Sequence, residues 1–187
     1  MREVEVKAHV RNEAELIQKL AEKGGVLGES VSQEDTVYVK NVGSMDVFLA
    51  NDHFLRIRKT PEKIIFTLKY HPGRNTTAID AMPIEHEVVV SDNKELEEML
   101  KLLGFVPALT INKTRRTTHV GEYEICIDEV EGLGAFIEIE KLIEHESDVD
   151  SVLKDMKVFL GMLGIMAEDI GVKRYDVQLH ERQYDGI

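Results

Sequence analysis

Charged and aliphatic residues alternate at the start of this chain. Glu3, Glu5 and Lys7 lie two apart, with Val4 and Val6 between them. In a strand, residues i, i+2 and i+4 share a face, so one face would carry the charges and the other the valines. The same period of two returns further on. At 54–59, Phe54, Arg56 and Arg58 oppose Leu55, Ile57 and Lys59; at 83–90, Glu85 and Glu87 oppose Ile84, Val88 and Val90; at 135–143, Phe136, Glu138 and Glu140 oppose Ile137, Ile139 and Lys141. Residues 64–70, 105–120 and 122–129 also read as strands, carrying Lys69, then Lys113 and Arg115, then Asp128. The spacing changes to that of a helix behind Asn12 (Ala14, Ile17, Leu20, Ala21, ending at Gly24-Gly25), behind Ser91-Asp92-Asn93 (Leu96, Met99, Leu100, Leu103, ending at Gly104), and over 149–163. Residues 172–184 predict a last short helix, 41–51 a connection with a short apolar piece, and 71–82 a polar loop.

Strands in hairpin-like runs, separated by single helices, define an α+β class with a mostly antiparallel sheet. No repeat or linker divides the chain, so a single domain over 1–187 is expected. Two architectures satisfy the charged faces. An open sheet points them at water, as one-sided antiparallel sheets do; a closed barrel points them inward, with the helices covering its aliphatic outside. In both, the helices belong on the aliphatic side, because burying unpaired ions beneath them costs several kcal/mol each.

The chain has 187 residues and a net charge of −12, which speaks against a nucleic-acid duplex or an anionic membrane as partner. A small anion held by a local cluster of Lys and Arg remains compatible with it. One cysteine, Cys126, rules out an intrachain disulfide and a cysteine-based zinc site, and a reducing cytoplasm is the expected setting. No signal peptide and no membrane-length apolar run is apparent. The seven histidines show no paired metal spacing and read mostly as surface residues, and Cys126, Phe136, Met99, Met156, Met162 and Met166 read as core. Gly132-Leu133-Gly134 reads as a hairpin turn.

Several of these stretches, in this order, resemble the motifs of the CYTH superfamily, the triphosphate tunnel enzymes. They are Glu3-x-Glu5-x-Lys7, Gln33-Glu34-Asp35-Thr36, Leu55-Arg56-Ile57-Arg58, Thr67-Leu68-Lys69, Glu85-x-Glu87 and Lys113-x-Arg115. The run from Ile127 to Glu140 is similar to the class IV adenylyl cyclase pattern almost residue for residue. The resemblance implies a closed antiparallel eight-stranded β-barrel with helices packed outside and charges within. It also implies that Lys7, Arg56, Arg58, Lys69, Lys113 and Arg115 grip a triphosphate. Glu3, Glu5, Glu85, Glu87, Asp128, Glu138 and Glu140 would bind Mg2+ or Mn2+, with two ions expected, all thirteen residues lining one cavity. These residue types suit those tasks: Arg grips phosphate oxygens bidentately, Lys acts as a point charge, and carboxylates suit hard divalent cations. The activities implied are conversion of ATP to cyclic AMP and pyrophosphate, hydrolysis of inorganic, thiamine or nucleoside triphosphate, or nucleotide or polyphosphate binding alone. The implied partner is a small-molecule triphosphate, without nucleic acid or membrane, and a homodimer is admitted. Two departures stand out. Val37 replaces the aromatic residue that usually follows Asp-Thr, with Tyr38 next, and Arg174-Tyr175 stands where the family has Ser-Tyr.

Overall fold

A computed structural model describes residues 2–51, 53–70, 84–144 and 147–185 of the chain. In chain order its elements are β1 (Arg2–His9), α1 (Glu13–Glu22), β2 (Val31–Val39), α2 (Met45–Leu49), β3 (His53–Lys59), β4 (Ile64–Tyr70), β5 (Ile84–Val90), α3 (Asn93–Leu102), β6 (Val106–Val120), β7 (Tyr123–Val130), β8 (Gly134–Ile143), α4 (Val149–Met162) and α5 (Tyr175–Asp185). The loop expected over 71–82 and the strand start at Pro83 lie outside the described residues. The chain divides into two compact units, one of residues 1–30, 114–130 and 134–172, the other of residues 31–113, 131–133 and 173–187.

In the first unit β1 pairs antiparallel with β8, and β8 with β7. Val6 lies opposite Ile139 and Ala8 opposite Ile137, while Ile125 and Ile127 face the same two isoleucines from β7. All six are buried, so the aliphatic positions of three strands form one core face. Helix α4 packs on β1 and contributes Leu153, Met156 and Leu160 to the core. Its start is fixed by Asp148, whose side chain accepts from the Asp150 and Ser151 amides. Asn12 caps α1 in the same way, accepting from the Glu15 amide. That helix buries Leu16 and Leu20, with Ile17 only half-buried, so its inward face is rotated by one residue from the expected one. Gly24 ends it at φ +85°, a conformation strained for residues with a Cβ.

In the second unit β2, β3, β4 and β5 form an antiparallel meander. One face carries Tyr38, Leu55 and Ile57, which pack with Leu100 of α3 and, around them, Phe66, Leu68, Leu96 and Phe105. The side chain of Asp92 caps α3. Met99, Leu102 and Leu103 lie exposed on its outer side, which corrects the inward placement of Met99 and Leu103. Met162 and Met166 are exposed as well, whereas Met156 and Phe136 are core as expected.

The strand order is β1-β8-β7-β6-β2-β3-β4-β5, with β1 and β5 at the ends. The eight-stranded sheet is therefore open, which corrects the expected closed barrel. The alternation fixes which face each strand turns to the core. Closure depends on tilt and register stagger, which no single strand encodes. Helix α4 in the first unit and α3 in the second lie on the aliphatic side as expected. No helix among the described residues is long and apolar enough to cross a membrane.

Candidate functional site

In the first unit, the face opposite α4 gathers the charges of β1, β8, β7 and the end of β6. The register puts Glu5 opposite Glu140 and Lys7 opposite Glu138. Carboxylate oxygens of Glu3, Glu5 and Glu140 lie within 4.8 Å of one another. Burial raises the Glu140 pKa, and Glu138, Glu3 and Glu5 raise it further, to about 8. Three carboxylates this close form a donor set suited to a hard divalent cation. Cations engage Glu5 and the neighbouring acids. Lys7 Nζ lies 3.1 Å from Glu5 Oε1 and 3.2 Å from Glu138 Oε1. Burial opposes the charge on Lys7, but Glu138 and Glu5 outweigh it and hold the ammonium charged well above its ordinary range. Arg115 binds Asp128 bidentately at 2.6 and 2.7 Å and also donates to Glu138. Cys126 is buried in the same strand as Asp128, and burial pushes its thiol up to about 11, so it packs and does not react as a thiolate at neutral pH.

The second unit carries a different arrangement. Asp35, Val37 and Val39 share a face of β2, and Phe54, Arg56 and Arg58 share the adjoining face of β3. Arg58 grips Asp35 bidentately, Nε to Oδ1 at 2.7 Å and Nη2 to Oδ2 at 2.8 Å. Burial alone would raise the Asp35 pKa; Arg58, with Arg56 and Lys113, outweighs it and holds the carboxyl below its usual range. Arg56 Nη2 donates to Thr67 Oγ1 at 3.1 Å and to Glu87 Oε1 at 2.9 Å, and Thr67 donates to the same Glu87 oxygen. The Arg56 Nε is buried and has no hydrogen-bond partner among the described residues. Lys69 pairs with Glu85. The buried Lys113 ammonium sits over the Tyr175 ring, 5.3 Å from its centroid.

The thirteen expected residues thus fall into two groups. Glu3, Glu5, Lys7, Arg115, Asp128, Glu138 and Glu140 cluster in the first unit; Arg56, Arg58, Lys69, Glu85, Glu87 and Lys113 lie on the charged face of the second. Asp35 was not among them, although it is 3% exposed and holds both arginines. Its place in the Gln33-Glu34-Asp35-Thr36 motif was the available signal. The start of α5 also joins the charged face. Arg174 lies over the Phe54 ring at 4.4 Å and chelates Asp176, which is buried and lowered in pKa, burial's upward push being outweighed by Arg174. One histidine departs from the surface reading: His180 is 1% exposed, stacked on Phe48, with Nε2 3.0 Å from the Gly43 carbonyl.

The CYTH domain matches residues 1–174, and the chain belongs to that family. It is 31% identical over 175 residues to the Methanocaldococcus jannaschii protein named "Putative adenylate cyclase MJ0240", a match covering 94% of this chain and 97% of the relative. Among solved structures it is similar to the PH1819 protein of Pyrococcus horikoshii OT3, at 28% identity, with 96% of this chain and 99% of that one covered and a TM-score of 0.77. It shares its fold with the Hippeastrum protein HpAC1, described as having a dominant triphosphatase activity, at 19% identity, with 94% of each chain covered and a TM-score of 0.66.

Proposed function

We propose that this chain is a divalent-metal-dependent enzyme acting on triphosphates and, within that class, an adenylyl cyclase that converts ATP to cyclic AMP and pyrophosphate. The observation that carries the reading is the placement of Val37 and Tyr38. Val37 lies on the charged face opposite Arg56, while Tyr38 is buried on the other face beneath α3. Burial, with Glu97, pushes the Tyr38 phenol up to about 12. A triphosphatase needs a group to position an attacking water, and β2 brings no tyrosine to the charged face for that task. In a cyclase the substrate brings its own nucleophile. The ribose 3′ oxygen forms the new bond to the α-phosphorus, the bond to the β-phosphate oxygen breaks, and the hydroxyl proton passes to solvent.

In this reading Arg56, Arg58, Lys69 and Lys113 grip the triphosphate and stabilise the charge that develops on pyrophosphate. The unpartnered Arg56 Nε has a phosphate oxygen as its natural acceptor. Lys7 and Arg115 add positive charge in the first unit. Glu3, Glu5 and Glu140 would hold a divalent cation, which supplies Lewis acidity and lowers the pKa of a bound hydroxyl. A second ion would draw on acids now paired with cations of their own unit, Glu85 and Glu87 in the second or Asp128 and Glu138 in the first. Triphosphate hydrolysis is the second reading. It is supported by the Tyr175 ring against Lys113, a tyrosine–lysine pair from other elements, and by the activity described for the Hippeastrum protein.

The substrate analogue 3′-deoxy-ATP separates the two. A cyclase binds it with an affinity like that of ATP and does not turn it over. Release of 3′-deoxy-ADP and orthophosphate from it, at the rate at which ATP is consumed, would overturn the cyclase assignment.

A further inference from the structure

Arg174, Tyr175 and Asp176, at the start of α5, meet the charged face of the second unit one after another. Tyr175 covers the Lys113 ammonium. Burial pushes the Asp176 carboxyl up, but Arg174 outweighs it and Lys69 adds to the lowering, so the acid stays ionised. The Arg174 guanidinium lies 4.4 Å from the centroid of the Phe54 ring. Phe54 stands opposite Lys69 in the strand register. On β3, Phe54, Arg56 and Arg58 alternate with Leu55 and Ile57 and share a face. Arg174 is therefore brought from outside the sheet to the face that carries Arg56, Arg58 and Lys69.

Its setting suits an anion. The pair with Asp176 uses Nε and Nη2, at 3.0 and 2.5 Å. Nη1 makes no hydrogen bond among the described residues, and the side chain is 27% exposed against 10% for Asp176. A carboxylate along one edge and an aromatic ring against its plane fix the guanidinium, while the other edge stays open. That edge offers planar N–H donors of the kind phosphate oxygens accept in pairs. Residue 174 is also one of the two departures from the motifs this chain resembles, and the serine it replaces would supply no cation.

We propose that Arg174 is a further phosphate-gripping residue of this site, acting beside Lys69 on the same part of the triphosphate, with Asp176 as the acid that orients it. The inference rests on the triphosphate-binding reading and deepens it by one residue that lies outside the strands.

The test is calorimetric titration with inorganic triphosphate and with ATP, both in magnesium, with thermal midpoints recorded for every protein. Arg174→Gln is compared with wild type, and then again in an Asp176→Asn background. In that background Arg174 has no carboxylate left to hold, and its removal strands no buried anion, so the comparison stands even if Arg174→Gln alone fails to fold. Lys173→Gln removes the same charge one residue earlier, from a side chain that is 62% exposed. Arg174→Gln is expected to weaken both ligands about 10-fold or more in both backgrounds, and Lys173→Gln to weaken them far less. A loss that disappears in the Asp176→Asn background would show that Arg174 only holds Asp176, and would overturn the proposal. A loss no larger than that of Lys173→Gln, or one confined to ATP, would overturn it as well, while leaving the triphosphate site standing. Wild type that binds neither ligand would overturn both the proposal and the reading beneath it.

Discussion

Glu140 keeps its proton up to about pH 8 because burial and the carboxylates of Glu138, Glu3 and Glu5 oppose its ionisation. In the unfolded chain the same group titrates near its ordinary value of 4.5. Between those values the folded protein binds more protons than the unfolded chain. The contribution of Glu140 to stability is thus fully present below 4.5 and is lost as pH rises through 8. In metal-free buffer the thermal midpoint of wild type, relative to Glu140→Gln, should fall between pH 5 and pH 8. Magnesium should raise the midpoint at pH 8 more than at pH 5. A relative midpoint that climbs with pH would contradict the carboxylate crowding. Asp35 shows the opposite case, a buried acid satisfied by a bidentate arginine. Removing one member of a buried pair strands the other, so Asp35→Ala should cost about 3–5 kcal/mol in urea unfolding. A loss under about 1 kcal/mol would mean that Arg58 finds water instead.

At the scale of the elements, the decisive feature is that each unit turns one face of its strands to a helix and the other to charge. In the second unit Leu100 of α3 sits at 2% exposure against Tyr38, Leu55 and Ile57, whereas Leu103 is 68% exposed. Leu100→Ala should therefore cost about 2–5 kcal/mol and Leu103→Ala less than about 0.5 kcal/mol, with ATP affinity unchanged in both. Equal losses in chemical denaturation would mean that α3 docks by a different face. The strands were legible in the sequence because a period of two survives any packing arrangement: Glu3, Glu5 and Lys7 share a face whatever lies next to them. Helix faces were less legible. Leucines at 96, 100 and 103 fit one stripe, and only the docking angle decides that Leu96 and Leu100 go in and Leu103 stays out. Pairing partners were beyond reach. Nothing within β2 announces that Asp35 will stand opposite Arg58, so the acid that anchors the arginines was passed over while the arginines were named. The openness of the sheet was hidden for the same reason, being a relation between its first and last strands.

For the molecule as a whole, a chain with a net charge of −12 still gives each unit a charged strand face on which cations are held by acids of that unit, Lys7 by Glu138 and Arg115 by Asp128 in the first, Arg58 by Asp35 and Lys69 by Glu85 in the second. In the proposed reading a triphosphate displaces those carboxylates, which then become available to metal. Arg56→Ala and Lys113→Ala should each weaken ATP binding by about 1.5–3 kcal/mol, the value of a charge-assisted contact, in titrations at low ionic strength. Variants that bind ATP as wild type does would remove those residues from the site. The most direct test of the account is chromatographic identification of the products formed from ATP with magnesium or manganese. The account predicts cyclic AMP and pyrophosphate in equal amounts. ADP and orthophosphate as the only products, or rapid cleavage of inorganic triphosphate with ATP left intact, would contradict it.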